Sequence, residues 1–194
     1  MLTTATGGSA LRARPAYRGP VALAVCLLLD GPADRAVRRL WQRLERQGVP
    51  TLATHTHGRH VPHLSLAVLR SWDLDAVRAA VEALPDAGPT RVRFDAVAAF
   101  RRGRMSLVPS LPSGLALRQE RLVEAIGASE DALHWHYVPG VWTPHLTVAT
   151  RVRLTQAPIV MEAAYEILPL AATLDRAALI DAGSGVVHPL NTVP

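Results

Sequence analysis

The sequence predicts an α+β fold with largely antiparallel strands and two related lobes, and three observations lead there. Strand-like and helix-like stretches are interspersed without the strict alternation of a parallel βαβ fold. The 194 residues are 49% hydrophobic and only 19% charged, enough to bury a core and unlike a disordered chain. Two similar pentapeptides, Pro62-His63-Leu64-Ser65-Leu66 and Pro144-His145-Leu146-Thr147-Val148, stand 82 residues apart, each followed by a helical stretch.

Residues 1–19 are rich in Thr, Gly, Ser, Ala and Arg without any period, which predicts a flexible leader before one domain over 20–194. Residues 21–29 are a continuous apolar run, a buried first strand. This run follows Arg12, Arg14 and Arg18, but it is short and no Ala-x-Ala follows, so it does not make a signal peptide. Gly31-Pro32 opens a helix to about Gln47, with Val37, Leu40, Trp41 and Leu44 on one face and Gly48 at its stop. Residues 50–62 form a histidine-rich loop. Pro62, which has no N–H to donate, leads into a strand over 63–69.

A helix over about 73–84 carries Leu74, Val77, Val81 and Leu84 on one side, with Asp73 as its cap. Alternation predicts a strand over 91–100, and Gly103 turns the chain into another at 104–108. Ser113 opens a helix to about Ile126, closed by Gly127. Residues 133–138 alternate like a strand, Pro139-Gly140 turns, and 145–150 is the strand of the second motif. Residues 155–167 are helical, with the regular part after Pro158. Strands at 171–181 and 186–190, divided by Gly183-Ser184-Gly185, end the chain.

The net charge is +5, and all 21 basic residues are arginine. A planar guanidinium binds phosphate through two hydrogen bonds, so the surface favours an anionic partner. The single cysteine, Cys26, forms no internal disulfide and suits a reducing compartment; a cytoplasmic location is expected. No stretch approaches the roughly 18 apolar residues of a membrane span, so no membrane partner is expected. A monomer is expected. The absence of lysine removes ligases that work through a lysine–nucleotide adduct, and no P-loop is present.

On a strand, residues i and i+2 share a face. His63 and Ser65 therefore point one way while Leu64 and Leu66 anchor the strand behind them; His145 and Thr147 repeat the arrangement. Two such units across a cleft make a complete acid–base site. One neutral imidazole takes a proton from a nucleophile and a protonated one gives a proton to the leaving oxygen, while Ser65 and Thr147 bond non-bridging phosphate oxygens. This chemistry needs no metal or other cofactor.

The two pentapeptides resemble the paired His-x-[Ser/Thr]-x motifs of the two-histidine (2H) phosphoesterase superfamily. Within it the chain most resembles the bacterial 2′-5′ RNA ligase/cyclic phosphodiesterase branch, over roughly residues 20–190. Ser65 stands where threonine is commoner and Val148 where leucine is usual. The resemblance implies a bilobal α+β fold, two mainly antiparallel sheets with flanking helices around a central groove. It further implies metal-free hydrolysis of 2′,3′-cyclic phosphate or 2′-5′ phosphodiester bonds in RNA ends or nucleotides. His145 is then the base and His63 the acid, with roles reversing between directions.

Other residues carry weaker signals. Arg151, beyond the second strand, is a candidate phosphate clamp, as are Arg153 and the turn residues Arg101, Arg102 and Arg104. Trp135, Tyr137 and Trp142 offer rings for nucleobase stacking or for the core. His55, His57, His60 and His63 have zinc-ligand types but no neighbouring carboxylate, which favours a solvated loop. The alternative to an enzyme is a non-catalytic module of the same fold that binds RNA or nucleotide ends.

Overall fold

The computed structural model describes residues 22–110 and 112–194; the expected leader over 1–19 lies outside them. The chain opens with strand β1 (Leu23–Leu29). Asp30 caps helix α1 (Gly31–Arg46) by accepting a hydrogen bond from the Ala33 N–H at 3.0 Å, with Pro32 in the first turn. Strand β2 (His63–Leu69) follows the histidine-rich loop. Asp73 then caps helix α2 (Leu74–Glu82). The hairpin β3 (Thr90–Phe100) and β4 (Arg104–Pro109) leads to helix α3 (Ser113–Ile126), which ends at left-handed Gly127. Strand β5 (Leu146–Ala149) carries the second motif. A short 3-10 turn then precedes helix α4 (Ala157–Tyr165), and β6 (Leu170–Asp181) and β7 (Val187–Pro189) complete the chain.

The two expected sheets are halves of one antiparallel sheet of seven described strands, in the order β2-β1-β6-β3-β4-β5 with β7 on β6. Strand β6 joins the halves because it is long. Its C-terminal part pairs with β1 over Leu174–Asp181, and its first residues pair with β3 over Leu170–Leu174. Read from either end, the order runs motif strand, buried neighbour, long strand. That repeat is the two-lobed symmetry the motifs suggested.

Helices exchange between the halves. Helix α1, which follows β1, packs on α4 and β5, and α3, which follows β4, packs on α2 and β2. Trp41 of α1, fully buried, donates its indole N–H to the Thr147 carbonyl at 3.3 Å. Trp142 does the same to the Ser65 carbonyl at 3.1 Å. Each motif strand thus has an edge carbonyl satisfied by a tryptophan. Leu23, Val25, Leu27 and Leu29 of β1 point into the main core, while Ala24 and Cys26 join Ala178 and Ile180 on the face that carries Ser65.

One expected strand is absent. Residues 133–138 are instead a 3-10 turn at Trp135–Tyr137, held to β2 by a Leu69–Leu133 bridge and by the His134 N–H donating to the Val68 carbonyl. The carbonyls that a neighbouring strand would use are already taken. Leu66 and Ser65 accept from the side chains of Gln119 and Trp142.

Candidate active site

His63 opens β2, and His145 immediately precedes β5. Buried prolines, Pro62 and Pro144, fix the backbone before each. His63 Nδ1 lies 2.7 Å from the Val61 carbonyl, and His145 Nδ1 lies 2.8 Å from the Thr143 carbonyl. A carbonyl only accepts, so each Nδ1 carries the hydrogen. Each neutral ring then keeps its lone pair on Nε2. Both imidazoles are therefore held in the same tautomer by a bond to the residue two positions earlier.

Burial pulls the His63 imidazole below its usual range; the Val61 bond pushes back and His145 adds a downward push. Burial likewise lowers His145, against its bond to Thr143, and the charges of Arg104 and His136 lower it further. Both rings are neutral near pH 7. The Phe100 ring packs on His145 with centroids 4.9 Å apart.

The two hydroxyls sit differently. Ser65 is only 8% exposed, with its Oγ 3.5 Å from Cys26 Sγ and a further side-chain hydrogen bond with Tyr137. Thr147 is half-buried, and β-pairing sets it beside Ser106 as Ser65 is set beside Cys26. The Ser106 Oγ is buried without a hydrogen-bond partner. Burial pushes the Cys26 thiol up to about 12, so it stays protonated.

The aromatic residues divide. Tyr137 packs in the main core with its hydroxyl on Ser65, so its place is structural, and burial pushes that hydroxyl up to about 12. Trp142 is half-buried against the same core. Trp135 is 53% exposed. Arg151 has a left-handed backbone at φ 52°, and its charge acts on Glu45 and His55. The guanidinium that acts on His145 is that of Arg104, on the same face of β4 as Ser106. Strand alternation carried that signal, and it likewise puts Phe100 at the hairpin end.

The histidine loop is tied together internally. His60 Nε2 meets Thr56 Oγ1 at 3.0 Å, and the Arg59 N–H donates to His57 Nδ1 at 3.0 Å. The His57 and His60 rings stand 4.1 Å apart, and Arg59 donates to the Ser184 carbonyl. Burial and the charges of His57, His63 and His55 push His60 down to about 4. Among the described residues no three His, Cys, Asp or Glu side chains converge as a set that could hold a metal ion. No helix among them is long and apolar enough to cross a membrane.

The sequence matches the 2′-5′ RNA ligase superfamily over residues 32–185. A crystal structure described as a phosphoesterase is similar at TM-score 0.60 and 14% identity, covering 90% of this chain and 98% of its own. The structure of E. coli LigT complexed with ATP is similar at TM-score 0.58 and 13% identity, covering 90% of this chain and 98% of its own. That of LigT with 3′-AMP reaches 0.59 at 14% identity, covering 89% and 95%. No curated protein matches the chain in sequence.

Proposed function

The chain belongs to the 2′-5′ RNA ligase superfamily, and we propose that its groove hydrolyses 2′,3′-cyclic phosphate or 2′-5′ phosphodiester bonds of RNA ends or nucleotides by two-histidine acid–base catalysis. One observation carries this reading: both motif imidazoles have Nδ1 bound to a carbonyl two residues back, which leaves two Nε2 atoms for proton transfer.

In the hydrolytic direction, His145 Nε2 takes a proton from water as its oxygen attacks phosphorus. The bond from phosphorus to the departing ribose oxygen breaks, and that oxygen receives the proton from His63 Nε2–H. Exchange with solvent resets the pair. Burial lowers both imidazoles, and the further charges of Arg104 and His136 beside His145 support giving it the role of base. A bound phosphate anion next to His63 favours its protonated form. Thr147 and Arg104 donate to the non-bridging oxygens, and Ser65 completes the cradle through its link to Tyr137. E. coli LigT has been crystallised with 3′-AMP and with phosphate, ligands of the class this reading requires.

The test is turnover in EDTA of 2′,3′-cyclic nucleotides, 2′-5′ oligonucleotides and ADP-ribose cyclic phosphate. His63→Ala and His145→Ala are each expected to lower kcat by about 10²- to 10⁴-fold, the usual share of general acid–base catalysis, with melting curves retained. Full activity in both variants sinks the proposal. Binding without turnover by the wild type, surviving loss of either imidazole, marks a non-catalytic end-binding module instead.

A further inference from the structure

Beside the two motifs the 3-10 turn builds an aromatic shelf. The Trp135 and His136 rings lie 3.5 Å apart at 30°, and His134 stacks on His136 at 5.2 Å and 11°. Trp135 is 53% exposed. The shelf is fixed to β2 at its start: the Arg70 N–H donates to the Ala132 carbonyl at 2.7 Å, and the His134 N–H donates to that of Val68 at 2.8 Å. At its end Tyr137 bonds Ser65. An exposed aromatic surface held by its backbone is available to stack on another flat ring.

The surroundings say what would. Burial and the charges of Arg70, Arg104 and Arg102 hold His134 below its usual range, and burial, Arg104 and Arg102 do so for His136. The two imidazoles are therefore a neutral π surface within the field of guanidinium groups. Arg102 stands at the hairpin tip with a left-handed backbone at φ 63°, next to Gly103, whose carbonyl accepts from the Val152 N–H at 2.8 Å. The backbone bonds of Arg70 and His134 and the Tyr137–Ser65 bond set the shelf beside β2, the strand of the first motif. Aromatic surface beside fixed cationic groups is the chemistry that holds single-stranded nucleic acid.

We propose that this shelf is a second-nucleotide subsite, in which Trp135 stacks the base of the nucleotide next to the scissile phosphodiester and Arg102 holds the phosphate linking the two. The inference rests on the hydrolytic reading above and narrows it: the preferred substrate is a single-stranded RNA end of two or more nucleotides, not a mononucleotide.

The experiment compares kcat/KM for a trinucleotide ending in a 2′,3′-cyclic phosphate with that for the matching cyclic mononucleotide, in the wild type, Trp135→Ala and Trp135→Phe. The wild type is expected to prefer the trinucleotide. Trp135→Ala lowers the trinucleotide-to-mononucleotide ratio about tenfold, within the range of one lost base–aromatic stack, and Trp135→Phe keeps most of it. A ratio that Trp135→Ala leaves unchanged overturns the subsite. Should the wild type turn over neither substrate, the hydrolytic reading fails by itself. The subsite is then judged by fluorescence anisotropy of a labelled trinucleotide 3′-phosphate: weaker binding in Trp135→Ala supports it, and equal binding overturns it.

Discussion

At the scale of single residues, the two imidazoles are matched in hydrogen bonding and unmatched in electrostatics. Each has Nδ1 on a carbonyl, but only His145 faces a guanidinium, that of Arg104. A positive neighbour disfavours imidazolium and holds the base neutral to lower pH. Removing that charge with Arg104→Gln is expected to raise the His145 pKa. The acidic limb of kcat/KM, which requires a neutral base, then moves to higher pH. A pH–rate profile checks this. An acidic limb that stays put or moves lower means Arg104 does not act on the base, whatever happens to the maximum rate. The same substitution removes a phosphate donor, so the plateau is expected to fall by about 10² to 10³ as for other oxyanion contacts.

At the scale of elements, the β3–β4 hairpin carries Arg102 and Arg104 at its tip, and Gly103 makes that tight turn possible. Gly103 sits at φ +67°, and a Cβ there would lie 2.6 Å from the Val152 carbonyl oxygen and 2.8 Å from its nitrogen. Gly103→Ala therefore has to push the tip off the segment after β5. We expect a loss of stability of about 1–3 kcal/mol from strain, read as a lower Tm, and a drop in activity although no contacting side chain has changed. Unchanged Tm and activity would falsify the anchoring role of this turn. The hairpin was legible in the sequence because Gly103 follows an alternating run, and so were both motif strands, whose i and i+2 residues define a face. What alternation hid was the use of strand edges. Leu133 to Val138 alternate like a strand, but Gln119 and Trp142 side chains occupy the β2 carbonyls that a strand would need. The left-handed backbone at Arg151, a non-glycine residue, is a local feature that no spacing rule anticipates. Trp135, Phe100 and Arg104 were invisible as a set, since Trp135 lies 31 positions beyond Arg104 in the chain.

At the scale of the whole molecule, the same burial that builds the groove makes its stability depend on pH. His55, His60, His63, His134, His136 and His145 are all held below the ordinary value of 6.5, with burial the largest cause for each and His60 down to about 4. Burial works the other way on Asp30, Glu45 and Asp181, but hydrogen bonds to each outweigh it, so these carboxyls are also lowered. For every one of these groups the unfolded chain binds protons more readily than the folded one. Their stabilisation is present above the unfolded values and is lost as pH falls through the folded ones. Cys26 and Tyr137 act on the other side. Burial raises them from 9.0 and 10.0 to about 12, so the unfolded chain ionises first and stability falls as pH rises past 9.0. Thermal melting is therefore expected to show a Tm plateau between pH of about 6.5 and 9, with histidine titration bringing the acidic decline well above the carboxylate range. A bound phosphate that stabilises protonated His63 opposes part of that decline, so inorganic phosphate should flatten the acidic limb in the wild type and much less in His63→Ala. A Tm that holds level from pH 7 to 5 without ligand contradicts the account, because it requires six histidines to titrate as they do in water.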